Sequence, residues 1–258
     1  MLPYPISYFS NIIIARRIFS GRTHLRFWQK LLTTIFLISL LLIPNAIHIS
    51  QLKTYPLETI VDGIYTPFSN TVMENLKTVQ LDNHTLSQSG KNSSHVYFGN
   101  KSKPTRGISY QFGADKVTIR KDETELAKLS YQILSTEDFQ SKNKLTSAIS
   151  QTWFLENRVS ASFLLLGISA VLITFNTLLL IIGVSAILYL VSRTKFFDFK
   201  NFGESYTFTL NCLGIPSLLA CLSGLFSPSS LSVIMVQNVL FVLLLTWVFY
   251  KTHFQEER

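Results

Sequence analysis

The residues able to do chemistry in this 258-residue chain are few and scattered. Five histidines, His24, His48, His84, His95 and His253, never fall at the spacing of an H-E-x-x-H zinc helix. Cys212 and Cys221 are the two cysteines; nine residues apart, they face opposite sides of one helix and cannot pair within it. The acids Asp122, Glu123 and Glu125 gather beside Arg120 and Lys121. That pattern reads as a solvated charged turn rather than a carboxylate pair for glycoside chemistry. Gly-rich phosphate loops, C-x-x-C and G-x-S-x-G are all missing from the sequence. We therefore expect no catalytic, cofactor-binding or metal-ligating residue, no cofactor, and a protein that is not an enzyme.

Polar residues inside apolar runs carry more information, because lipid makes an unpaired polar group costly. Asn176, Asn211, Gln237 and Asn238 are the candidates. All four are neutral, and they are expected to make hydrogen bonds between packed helices. With no charge deep in any run and no internal repeat, a self-contained ion-coupled transporter is not expected.

The elements that position these residues follow from hydropathy. A run of about 19 apolar residues crosses the roughly 30 Å hydrocarbon layer as a helix. Such spans are expected at 31–49, 161–191, 208–226 and 231–250. The run 161–191 has neither charge nor proline. It is long for one crossing and short for two; one tilted helix is expected, with a re-entrant hairpin around Thr174-Phe175-Asn176-Thr177 as the alternative. Gly167-Ile168-Ser169-Ala170 and Gly183-Val184-Ser185-Ala186 suit close helix packing. Phe196, Phe199, Phe202 and Tyr206 predict a short interfacial helix over 195–206, with Lys200 and Glu204 on another face. Residues 1–30 form a cytoplasmic basic leader, with an interfacial position on the inner leaflet as one reading, although its apolar positions make no single helical stripe. The first run lacks a cleavage pattern and reads as an uncleaved anchor.

Charge gives the spans a direction. The formal net charge is +8, and Arg16, Arg17, Arg22, Arg26 and Lys30 fill the leader without an acid. The middle segment, 50–158, is nearly balanced, with 13 basic and 11 acidic residues. The excess flanks the first span, as the positive-inside rule expects of a cytoplasmic face, and nothing in it indicates a nucleic-acid partner. Four spans place both termini, including the tail 251–258, in the cytoplasm and the middle segment outside. The expected fold is an integral membrane α-helical bundle of about four transmembrane helices. A small β-rich α+β extracytoplasmic domain lies between helices 1 and 2. Strands are expected at Lys77–Leu81, His95–Phe98, Ile108–Phe112 and Lys116–Arg120. Residues 123–134 read as either helix or strand, and 135–151 as a helix. N-x-S/T triplets at Asn83, Asn92 and Asn100 could carry glycans in a secretory pathway, but chance matches are expected in so Asn- and Ser-rich a stretch.

The leader IIIARRIFSGRTHLRFWQKLL followed by IFLISLLLIPNAI, the middle piece VYFGNK…GISYQFGADKVTIRKDETEL and the later piece FFDFKNFGESYTFTLNCLGIPSLL carry a resemblance. The chain resembles the MalA-type maltodextrin utilisation membrane proteins of Gram-positive bacteria, part of a wider family described as a domain of unknown function. The resemblance covers essentially the whole chain. It implies a cell-membrane protein with an accessory or regulatory part in maltodextrin utilisation, in contact with an uptake system or a membrane regulator. It transfers no catalytic or ligand residue. Two other readings stand beside it: a sensor whose outer domain binds an oligosaccharide or cell-wall ligand through Tyr97, Phe98, Tyr110 or Phe112, and a transporter component.

Overall fold

Apolar runs of this length satisfy their own backbone as helices, and each of the four does so without interruption. The computed structural model describes residues 3–99, 106–194, 196–226 and 229–255. In chain order the helices are α1 (Ile6–Asn11), α2 (Ala15–Ser20), α3 (Phe27–Gln51), α4 (Asn70–Leu76), α5 (Lys142–Glu156), α6 (Arg158–Ser192), α7 (Phe202–Phe226) and α8 (Ser230–Thr252). The strands are β1 (Gln80–Asp82), β2 (Thr85–Gln88), β3 (Val96–Phe98), β4 (Ile108–Phe112), β5 (Lys116–Lys121) and β6 (Thr124–Ser130). The chain divides into two units, Met1–Gln51 with Ser162–Arg258, and Leu52–Ala161.

In the first unit, α3, α6, α7 and α8 are long and apolar enough to cross a membrane. Each extends past the bounds read from hydropathy alone, and α6 is one helix through Thr174–Thr177, with no hairpin there. Pro44 lies inside α3 and Pro216 inside α7. Contacts fix the directions. Thr34 of α3 meets Tyr206 of α7, and a Cβ on Gly224 of α7 would meet Pro44 of α3, so these two helices run the same way. Ser185 of α6 meets Thr209 of α7, and Gln237 of α8 meets Ser217 of α7. The other contacts along α6 and α8 make both of them run opposite to α7. Helix α7 is the most enclosed of the four. Its small residues, among them Ser205, Cys212, Gly214, Ser217 and Ala220, are buried and let neighbours approach.

One expectation is corrected here. There is no helix over 196–201: α7 begins at Phe202, and Lys195 lies outside the described residues. Asn201 caps the helix, its Oδ1 accepting from the Glu204 amide at 2.9 Å. The four aromatics predicted to share one face are divided. Phe199 is buried, Phe196 is exposed, and Phe202 and Tyr206 sit in the first turns of α7. The leader is also ordered. It folds as α1 and α2, and the extended Ile14 before α2 resets the helical phase; hence no single stripe appears in the sequence. Tyr8, Ile12, Ala15, Ile18 and Phe19 are buried in the bundle. Gly214 makes this possible, since a Cβ there would come within 2.8 Å of Ile12 and 2.9 Å of the Tyr8 hydroxyl.

In the second unit, β3-β4-β5-β6 form a four-stranded sheet, parallel between β3 and β4 and antiparallel elsewhere. Residues 123–134 thus resolve mainly to a strand. Strands β1 and β2 make a separate hairpin whose turn, Asn83-His84, takes positive φ at both positions, as a two-residue type I′ turn requires. The expected strand Lys77–Leu81 is mostly the end of α4 and its turn; only Gln80 and Leu81 pair. Asn92 Oδ1 accepts from the Phe98 amide at 2.7 Å, so this asparagine holds its loop. Asn100 lies outside the described residues.

Buried tyrosines tie this core together. Tyr110 donates to the Ile64 carbonyl, Tyr131 to the Gly113 carbonyl, and Tyr65 meets Ser150 Oγ at 2.6 Å. Burial pushes all three hydroxyls above their ordinary value of 10.0. Their protons are therefore held more tightly folded than unfolded. The stability this confers is fully present below pH 10 and is lost as pH rises beyond it, because the unfolded chain ionises first. We expect the melting temperature of Tyr110→Phe to fall less steeply than that of wild type above pH 10. Identical slopes would contradict this.

Candidate functional site

The four polar residues singled out from the apolar runs all find partners inside the first unit. Asn176 and Asn238 exchange two amide hydrogen bonds, at 3.2 and 3.1 Å, joining α6 to α8. Gln237 Nε2 donates to Ser217 Oγ at 3.0 Å, joining α8 to α7. Asn211 Nδ2 donates to the Ile18 carbonyl at 3.2 Å, so α7 holds the leader rather than another long helix. Further along, Ser230 Oγ donates to Asn45 Oδ1 and meets Ser169 Oγ, both at 3.0 Å. Within the two small-residue patches the serines make these contacts. Cβ atoms on Gly167 and Gly183 would meet nothing within 4 Å.

The arrangement sets helix register, because each pair meets at one relative height, although Gln237 Oε1 and Asn45 Nδ2 remain buried without a hydrogen-bond partner among the described residues. Replacing Asn238 by leucine leaves the Asn176 amide without its partner. The expected loss is about 0.6–2 kcal/mol, the range for interhelical hydrogen bonds in lipid. It can be read as a shift in unfolding in mixed micelles, and Asn176→Leu with Asn238→Leu together should cost less than the two single changes summed.

The charged site of this unit was not expected. Glu204, in the first turn of α7, is buried and lies 3.5 Å from Arg22 Nε, with both side chains under one-tenth exposed. Glu204 Oε2 also accepts from the Lys200 amide at 3.0 Å, and Arg22 Nη1 donates to the Phe19 carbonyl at 3.2 Å. The guanidinium stands over the Phe19 ring at 4.3 Å. Close by, Lys30 Nζ donates to the Gly203 carbonyl at 2.6 Å, so it serves α7 as well as the interface. An acid is thus enclosed in a helix read from sequence as starting later, at Phe208. The signal that could have exposed it was the N-cap pattern Asn201…Glu204.

Around the pair lies an aromatic cluster. Phe19 from α2, Phe199 from the 196–201 connection, Phe208 from α7, Phe249 from α8 and Phe254 from the tail meet at centroid distances of 5.1–6.2 Å. Leader and tail therefore pack together at one end of this unit. Both cysteines lie buried in α7 as free thiols.

In the second unit the aromatics offered for stacking on a sugar are otherwise used. Tyr110 and Phe112 are fully buried, Tyr97 nearly so, and Phe98 packs on Phe112 at 5.3 Å. A 560 Å³ polar hollow lies elsewhere, near Ser135, Asn143 and Gln151, and no aromatic side chain lines it. Among the described residues, no group of three His, Cys, Asp or Glu side chains could hold a metal ion.

Fold and site together define an α-helical bundle with four helices long and apolar enough to span a membrane, locked by internal polar pairs and carrying a small sheet-bearing unit in the connection between the first two. Along 263 aligned residues the chain is 42% identical to the maltodextrose utilization protein MalA of Streptococcus pneumoniae, covering 99% of this chain and 98% of that protein. The chain belongs to the MalA-type family of maltodextrin utilisation proteins. No protein-family model and no solved structure matches it.

Proposed function

We propose that this chain is a non-enzymatic multi-span protein of the cell membrane with an accessory or regulatory role in maltodextrin utilisation. The observation that carries the reading is the end-to-end relationship to a protein named for maltodextrose utilization, with nothing large added or removed. What supports an anchoring and contact role is that Asn176, Asn238 and Gln237 make hydrogen bonds between helices and that the one described buried carboxylate in a long helix is committed to Arg22. The partner is a maltodextrin uptake system or a membrane regulator. By the positive-inside rule the basic leader faces the cytoplasm, four spans return the tail to the same side, and the segment 50–158 lies outside.

An in-frame deletion tests the pathway. Growth should slow on maltodextrin and not on glucose, and the full chain should restore it; equal growth on both sugars removes the assignment. Single-cysteine variants in a background lacking Cys212 and Cys221 test the topology. Glu123→Cys should react with an impermeant maleimide in intact cells, and His24→Cys only after permeabilisation. The reverse labelling would invert the topology.

A further inference from the structure

We propose that the leader-and-tail end of the first unit is a binding site for the phosphate of an anionic membrane lipid. A cavity of about 670 Å³ opens between α2, the turn after it and the C-terminal end of α8. Arg16, Arg17, Arg22, Thr23, Lys251 and His253 line it. Among the described residues, none that lines it is acidic. Arg16, Arg17 and Lys251 are exposed, whereas Arg22 is buried and held by Glu204 and the Phe19 carbonyl, so it forms a fixed wall with its charge answered by the acid.

Guanidinium forks, an ammonium and hydroxyls around one hollow suit an oxyanion with several acceptor oxygens, and phosphate offers more of them than a carboxylate. Opposing charges are present and smaller. The carbonyl end of α8 carries about half a negative charge, against the exposed cations Arg16, Arg17 and Lys251 that line the cavity. Asp198 comes near, its backbone N–H donating to the Phe254 carbonyl at 2.9 Å, and Glu204 is engaged with Arg22. Glu256 and Glu257 follow Gln255 in sequence, outside the described residues.

The surroundings favour a lipid over a soluble phosphate compound. Ile13 and Ile14, exposed, immediately precede α2 with its Arg16 and Arg17. Trp247 and Tyr250, also exposed, stand in the last turns of α8 beside Lys251. Apolar and amphipathic side chains next to a basic hollow match an acyl chain beneath a headgroup. This source rests on the membrane reading above, and flotation with phosphatidylcholine vesicles tests that reading separately. A chain that fails to float breaks the membrane reading and the lipid site with it, whereas one that floats leaves the site to be decided by lipid preference.

The deciding experiment is native mass spectrometry of the full chain in neutral detergent, with phosphatidylglycerol, phosphatidylcholine or inorganic phosphate added. Wild type should retain phosphatidylglycerol over phosphatidylcholine, and inorganic phosphate should not displace it. Each cation neutralised should weaken retention about fivefold, so Arg17→Gln with Lys251→Gln should nearly abolish the preference. Both residues are exposed, and an unchanged melting temperature will show that the variant folds. Equal retention by wild type and variant, or no preference between the lipids, would overturn the site; displacement by inorganic phosphate alone would overturn the lipid as its occupant.

Discussion

Glu204→Ala should destabilise the first unit by about 3–5 kcal/mol, the usual penalty for removing one partner of a buried ion pair. The penalty arises from the partner left behind. Arg22 is 3% exposed, so its guanidinium cannot turn to water without unpacking Phe19 and the turn at 21–23. The substitution also frees the Lys200 amide that Glu204 Oε2 accepts from, and so loosens the N-terminus of α7. Arg22→Met combined with Glu204→Leu removes both charges and should recover most of the loss, since apolar pairs of similar volume replace buried ion pairs well. Heat-induced aggregation of the detergent-solubilised chain reads both. A Glu204→Ala protein as heat-resistant as wild type would contradict the pairing, as would a double variant worse than the single one.

Phe208→Ala should be nearly as costly, at about 3–5 kcal/mol. Phe208 is fully buried and touches Phe19, Phe199 and Phe254, so one truncation withdraws contacts from the leader, the connection before α7 and the tail together. The cavity cannot close easily, because those three rings belong to separate segments held by their own backbone bonds. Limited proteolysis should cut the leader near Arg16 and Arg17 faster in the variant, while a control truncation at exposed Phe163 should leave the cutting rate unchanged. Equal rates for Phe208→Ala and Phe163→Ala would show that the cluster does not hold the leader.

The long helices were legible because run length alone decides them. Leu31–Ile49 and Ala161–Val191 have no other way to bury their backbone. The polar residues Asn176, Asn211, Gln237 and Asn238 were legible as needing partners, since few groups in apolar runs can be left unpaired. Which partner each takes was not, because Asn211 reaches a carbonyl 193 positions away, at Ile18. The leader was hidden by its own break: α1 and α2 are each six residues long, and Ile14 between them is extended, so no period of 3.6 survives across them. Glu204 was hidden for a related reason. Its neighbours Lys200, Asn201 and Gly203 look like a surface loop, and only the fold brings Arg22 to it. In the second unit, Ile108–Phe112 and Lys116–Arg120 alternate as strands should, whereas α4 is seven residues long and begins at a Ser69 cap with too short a stripe to stand out.

The proposed role is tested most directly by separating entry of the sugar from its breakdown. In cells lacking this chain, uptake of labelled maltotriose should fall, and the full chain should restore it. Lysates of the same cells should degrade maltotriose at the wild-type rate, as the proposed non-enzymatic role requires. Normal uptake in intact cells, or slowed breakdown in the lysate, would contradict the account.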